Sequence, residues 1–182
     1  MKPNITRGKK SPSYKLPGKT RNTEVAEPAV SLTYVRPSKN NSSMRAVVLN
    51  RTTNKPESQM TSYEKIKLIK EGISKQALES LKERAKLDYN QLAQIFTVAR
   101  ATLINKKGDD KFDMWISEKI IGVADIYSYG YEVFEDEARF NDWIFQSNKA
   151  LGGLSPYELL DNQYGREEVR NVIGRIDYGV YS

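Results

Sequence analysis

The chain has 182 residues, with 29 Lys+Arg against 23 Asp+Glu, a formal net charge of +6. That length allows one domain or two small ones. Cysteine and histidine are both absent, which excludes disulfides, thiol nucleophiles, Cys/His zinc sites and His-based triads. The longest apolar runs are a few residues, too short for a membrane span, and the basic start lacks the apolar stretch of a secretory signal. The expectation is a cytoplasmic protein with no bound metal or cofactor. An enzyme working with carboxylates alone, as glycosidases do, finds no convincingly paired acids.

The charge is unevenly spread. Residues 1–60 hold 12 Lys+Arg and 3 Asp+Glu, a net of +9, and six of the seven prolines. Residues 61–182 hold 17 and 20, a net of −3. The first third is rich in Ser, Thr, Asn, Lys and Pro, and its few apolar residues make no face. Such a segment buries too little apolar surface to offset an ordering entropy of roughly 1–2 kcal/mol per residue. It is expected to be a largely disordered basic arm, with Met44–Leu49 alone strand-like. Two readings stand: an arm that tracks phosphates or awaits a partner, or a solvated tail.

From Thr61 onward the period changes to 3.6. Ile66, Ile69 and Ile73 mark a first helix stopped near Gly72. Ser74 can cap a second, with Leu78, Leu81 and Ala85 on one face. Asp88 and Gln91 form a capping-box pattern for a third, which carries Leu92, Ile95 and Phe96. A short helix from about Ala99 to Lys106 ends at Gly108. Asp110 or Asp113 opens a long helix, with Trp115, Ile116, Ile120, Val123, Ala124 and Tyr127 expected inward. Glu135 to Phe145 is next. Ser155-Pro156 starts another helix, because Pro suits the first helical position, and Gly165 to about Ile176 is the last. No stretch alternates long enough for a sheet. The fold class is therefore all-α, with domains at 1–60 (arm), 61–131 and 132–182.

Residues 88–107, DYNQLAQIFTVARATLINKK, have the length of a helix-turn-helix. Leu92, Ala93 and Phe96 would pack its first helix, Thr97-Val98 would make the turn without the favoured Gly, and Leu103 would anchor the second helix from beneath. Arg100, Thr102, Asn105, Lys106 and Lys107 would then lie outside, where such residues reach phosphates and base edges. The same pattern also fits an ordinary helical hairpin with a solvated polar face.

The C-terminal third is punctuated by Gly152-Gly153, by Gly165, which is expected to end one element before the next helix's first turn, and by Gly179, with Val169, Val172, Ile173 and Ile176 as the apolar stripe of its last helix. Trp143 is read as core, with contact to a partner compatible. Arg175 is open between an intramolecular pair and a partner's carboxylate. Tyr127 and Tyr131 are expected inward and Tyr129 outward. Tyr178 and Tyr181 sit at an exposed end where amphipathic rings suit an interface.

Val133-Phe134, Ala138, Trp143, Asn148, Leu151-Gly152-Gly153, Pro156, Leu159-Leu160, Gly165, Val169, Arg175-Ile176 and Gly179 occur in the order of a pattern that resembles the C-terminal domain of the Xre/ParS/MbcA antitoxins. Glu135 stands where that family usually has Gly. The region from Glu79 to Tyr131 is similar, more loosely, to the family's helix-turn-helix, and residues 1–60 are not covered. The resemblance implies an antitoxin that silences a RES-domain toxin, which consumes NAD or transfers ADP-ribose from it, and that represses its own operon as a homodimer or larger toxin–antitoxin assembly. The implied toxin contacts are Trp143, Asn148, Leu151, Arg175, Tyr178, Val180, Tyr181 and Ser182. The last three are expected to form a short segment that enters the toxin's nucleotide pocket. The alternative is a stand-alone helix-turn-helix regulator or chromosome-associated DNA binder.

Overall fold

A computed structural model describes residues 46–49 and 55–179. Seven α-helices follow in order: α1 (Ser62–Glu71), α2 (Lys75–Ala85), α3 (Tyr89–Phe96), α4 (Arg100–Ile104), α5 (Met114–Phe134), α6 (Glu137–Trp143) and α7 (Gln163–Asp177). Single 3-10 turns lie at Glu57–Gln59, Lys149–Leu151 and Pro156–Leu159. The described residues are all-α; their one β-type pairing is an isolated bridge between Ser74 and Lys111. None of these helices is long and apolar enough to cross a membrane.

Side-chain caps set most helix starts. Thr61 and Glu64 cap each other's backbone at α1, and Asp88 and Gln91 do the same at α3. Ser74 caps α2, Asp113 caps α5, Asp136 caps α6 and Asn162 caps α7. The short α4 has Ala99 at this position and no side-chain cap.

The long α5 is the centre. The helices α1, α6 and α7 and the 57–59 turn all pack along it. Its buried face carries Ile116, Ile120, Val123, Ala124, Tyr127 and Tyr131. Trp115, expected on that face, is 66% exposed. At 100° per residue it falls on the neighbouring stripe with Lys119, whose ammonium lies 5.1 Å from the indole centre. Tyr129 is half-buried, with the Arg170 guanidinium 4.7 Å over its ring.

The last helix differs from its expected bounds. Gly165 does not end an element; it lies inside the first turn of α7, and its N–H is capped by Asn162. A Cβ there would stand 2.1 Å from the Leu159 carbonyl oxygen, so only glycine allows the 156–159 turn to sit against the helix. The segment begun by Ser155-Pro156 is a 3-10 turn rather than an α-helix.

Two pieces assigned to the arm by composition pack on the helical body. Ala46, Val48 and Leu49 are buried and form no strand. The Val48 and Leu49 amides donate to the two oxygens of the buried Glu57 carboxylate, both at 2.9 Å. Burial pushes the Glu57 carboxyl above the usual range, and those two amides partly offset it. Ser58 donates its amide to Ser128 on α5 at 3.0 Å. Met44 and Arg45, which complete the strand-like stretch, lie outside the described residues.

Candidate functional site

The segment 88–107 forms two short helices and a tight turn. Thr97 takes the left-handed conformation at φ 55° and closes α3, filling with a β-branched residue the place where Gly is favoured. Its hydroxyl accepts from Lys119 of α5 at 3.1 Å, one compensating contact for that backbone.

In α4, Leu103 is fully buried. Arg100 and Thr102 of α4, and Asn105 and Lys107 just beyond it, are all exposed. Lys106 is half-buried, its ammonium 5.6 Å over the Phe112 ring. The five candidate DNA-binding residues thus lie on one short stretch, whose helix has Leu103 as its buried apolar anchor.

That stretch is held from α2. The Lys75 and Gln76 amides donate to Asp110 and Gly108 carbonyls at 2.9 Å each. The buried Lys75 ammonium donates to the Leu103 carbonyl at 2.7 Å and to the Tyr89 hydroxyl, and it pairs with Glu79 at 2.5 Å. Burial alone would pull this lysine down, but Glu79 and Tyr89 outweigh it and hold it above its ordinary value. Sequence reasoning missed Lys75. Its signal was a cation in the first turn of a helix, which the helix dipole disfavours.

The C-terminal region is built around an aromatic cluster. Phe140 packs edge-on against Tyr127, Tyr131 and Phe134 at 5.3–5.6 Å, and Trp143 stacks on Phe140 at 5.6 Å. Trp143 is therefore half-buried, with a core contact and an outer edge. Glu135 ends α5 at φ 55°, left-handed. Asn148 closes the loop that follows: its side chain accepts from the Ala150 amide, and its carbonyl takes the Leu151 and Gly153 amides. Leu151 is 7% exposed and belongs to the core, while Gly152 and Gly153 turn the chain at φ 69° and 87°.

On α7, Val169, Val172 and Ile173 are buried, Arg175 is half-buried and Tyr178 is 83% exposed. Val180, Tyr181 and Ser182 lie outside the described residues.

Two arginines not singled out in the sequence join this region to the rest. Arg166 is buried, donates to the Leu160 carbonyl at 3.2 Å and pairs with Glu118 at 2.7 Å. Its guanidinium crosses α5 at Gly122, where a Cβ would lie 2.7 Å from its Nε. Arg84 pairs with Glu137 at 2.6 Å and donates to the Val47 carbonyl, while the Arg84 carbonyl accepts from Tyr131 and Asn141. Neither residue carried a local pattern, because the carboxylates that pair with them lie 48 and 53 positions away in the chain.

Residues 130–179 match the model of the antitoxin Xre/MbcA/ParS C-terminal toxin-binding domain. The chain is similar to "Antitoxin Xre" of Yersinia enterocolitica, 27% identical over 116 residues, covering 63% of this chain and 78% of that one. An "Antitoxin Xre" of Photorhabdus laumondii is 29% identical over 76 residues, covering 41% of this chain and 51% of that one. A "Prs ADP-ribosylating antitoxin" of Sphingobium is 23% identical over 130 residues, covering 65% of this chain and 81% of that one. Over residues 130–179, the chain is thus similar to the toxin-binding domain of the Xre/MbcA/ParS antitoxins.

Proposed function

We propose that this protein is the antitoxin of a toxin–antitoxin pair in the cytoplasm. Its C-terminal region binds and silences a RES-domain toxin that consumes NAD or transfers ADP-ribose, and its α3–α4 unit binds operator DNA to repress the pair's own operon. The observation that carries the toxin half is the match of residues 130–179 to a toxin-binding domain. The reactive chemistry then belongs to the toxin, and the antitoxin supplies surface.

The exposed edge of Trp143, Arg175 and Tyr178 supplies that surface, while Asn148 and Leu151 act from below by holding the loop. The segment Val180, Tyr181 and Ser182 enters the toxin's pocket, where a phenol ring can lie in the place of a substrate ring. Three residues alone lose too much freedom to bind tightly, so the helical surface is the anchor. The DNA half is supported by the exposure of Arg100, Thr102, Asn105 and Lys107 on a stretch anchored by the buried Leu103. Because residues 61–182 carry a net of −3, the attraction to DNA is local, with the basic arm adding to it. Two-fold operators call for a homodimer or an assembly that presents two such helices.

Co-expression with the product of the neighbouring reading frame tests the partner. Co-purification of a RES-domain protein is the expected result. Purification of this chain alone beside an intact RES-domain protein would favour a stand-alone regulator. A chain ending at Gly179 tests the tail: folding should be unchanged by circular dichroism, and inhibition of NAD turnover should weaken. Full inhibition by the shortened chain would assign silencing to the helical body.

A further inference from the structure

The DNA-facing helix is too small to hold itself. Five residues are far below the length at which an isolated helix persists in water. Ala99 gives α4 no side-chain cap, and Leu103 is its one buried residue. Something outside α4 must fix its direction.

We propose that Lys75 is the positioning residue of the reading helix, holding α4 by the Leu103 carbonyl near its C-terminus while touching no DNA. This inference rests on the reading of α3–α4 as the DNA-binding unit. The ammonium has three donors, and each has a place: the Leu103 carbonyl of α4, the Tyr89 hydroxyl of α3, and the Glu79 carboxylate of its own helix. Leu103 O is among the four carbonyls that a helix end leaves without an intrahelical donor. A cation there also complements the negative end of the α4 dipole.

The same turn of α2 grips the chain beyond α4. The amides of Lys75 and Gln76, two of α2's own orphan donors, are taken by the carbonyls of Asp110 and Gly108. Asn105, Lys106 and Lys107 therefore sit between two points fixed by one turn of α2. Tyr89 closes the arrangement by donating to Glu79 while accepting from Lys75. With its side chain 8% exposed, the lysine has no route to a phosphate of its own.

The test uses the full chain with Lys75→Met, which keeps the length and packing of the stem and removes all three donors. Glu79 is a third exposed and remains solvated near Lys82 at 3.9 Å, so no bare buried charge is left. Amide hydrogen exchange without DNA is read across residues 100–107. Loss of a hydrogen bond to a charged group is expected to speed exchange there by about tenfold, with α5 and α7 unchanged. Tyr89→Phe, which removes one partner, should give a smaller increase in the same residues.

Affinity for a duplex from the chain's own upstream region is then measured against salt. Lys75→Met should bind about tenfold more weakly with an unchanged log–log slope, because the number of phosphates neutralised is the same. Lys107→Ala should lower the slope. Unchanged exchange in residues 100–107, in both Lys75→Met and Tyr89→Phe, would overturn the proposal. So would a reduced slope in Lys75→Met, which would make Lys75 a phosphate-binding residue. If the parent chain binds no DNA, the DNA reading fails while the exchange data still decide whether Lys75 holds α4.

Discussion

The α3–α4 unit and the 130–179 domain are held by different means. In the first, one buried leucine and one buried lysine fix a helix of five residues. In the second, an aromatic cluster, an arginine laid across a glycine of α5 and a backbone contact at Gly165 lock several turns to the core. A surface held at two points leaves nearly every outward side chain available for binding. A surface held by dense packing commits most of its distinctive residues to the core. In the second region, the residues proposed to meet a partner are among those the packing leaves over: the outer edge of Trp143, Arg175 and Tyr178.

That difference can be tested by substitution. The largest effects belong to the C-terminal domain. Leu151→Ala opens a cavity in the core and should cost about 2–5 kcal/mol. Gly165→Ala drives a Cβ into a backbone oxygen and should cost about 1–3 kcal/mol or more. Both would be read as denaturation midpoints. Should either leave stability unchanged while abolishing toxin capture, the residue would touch the toxin directly after all.

A second outcome belongs to α4. The double substitution Lys106→Ala, Lys107→Ala should move stability by no more than about 0.5 kcal/mol. It should reduce the slope of log affinity against log salt by about 0.9 for each phosphate that is no longer neutralised. Unchanged DNA affinity and slope would remove these lysines from the interface.

The smallest effect is expected at the junction between the two regions. Glu135 adopts a left-handed conformation at φ 55°, which costs an L-residue about 1–2 kcal/mol. Glu135→Gly relieves that strain but gives back part of it as unfolded-state entropy. A net gain of about 0.5–1 kcal/mol in thermal unfolding is expected. A drop in stability would mean that the Glu135 side chain holds the turn by interactions of its own.

Much of the fold was legible because its signals are local. Capping residues at 74, 88 and 113 start helices by bonds spanning three positions, and the burial of Leu103 follows from spacing alone. The fate of Trp115 was not legible, since its neighbour Ile116 has the same apolar character and only the direction of the core separates them. Gly165 was misread as an ending because a glycine required by a close approach looks, in sequence, like one required by a turn. Glu57, Lys75, Arg84 and Arg166 were missed for a common reason: each is a polar group with at least one partner eight or more positions away, which no local pattern marks. The resemblance in residues 133–179 was visible in the sequence, yet several letters that carry it, including Asn148, Leu151 and Gly165, hold the domain's shape.

The most direct test of the proposed function is NAD turnover by the proposed RES-domain partner, purified from the neighbouring reading frame and titrated with the full-length chain. Turnover should fall to background as the chain saturates the toxin, and Tyr178→Ala, which leaves the core intact, should shift the titration to higher concentration. Undiminished turnover with the chain in excess would contradict the antitoxin reading.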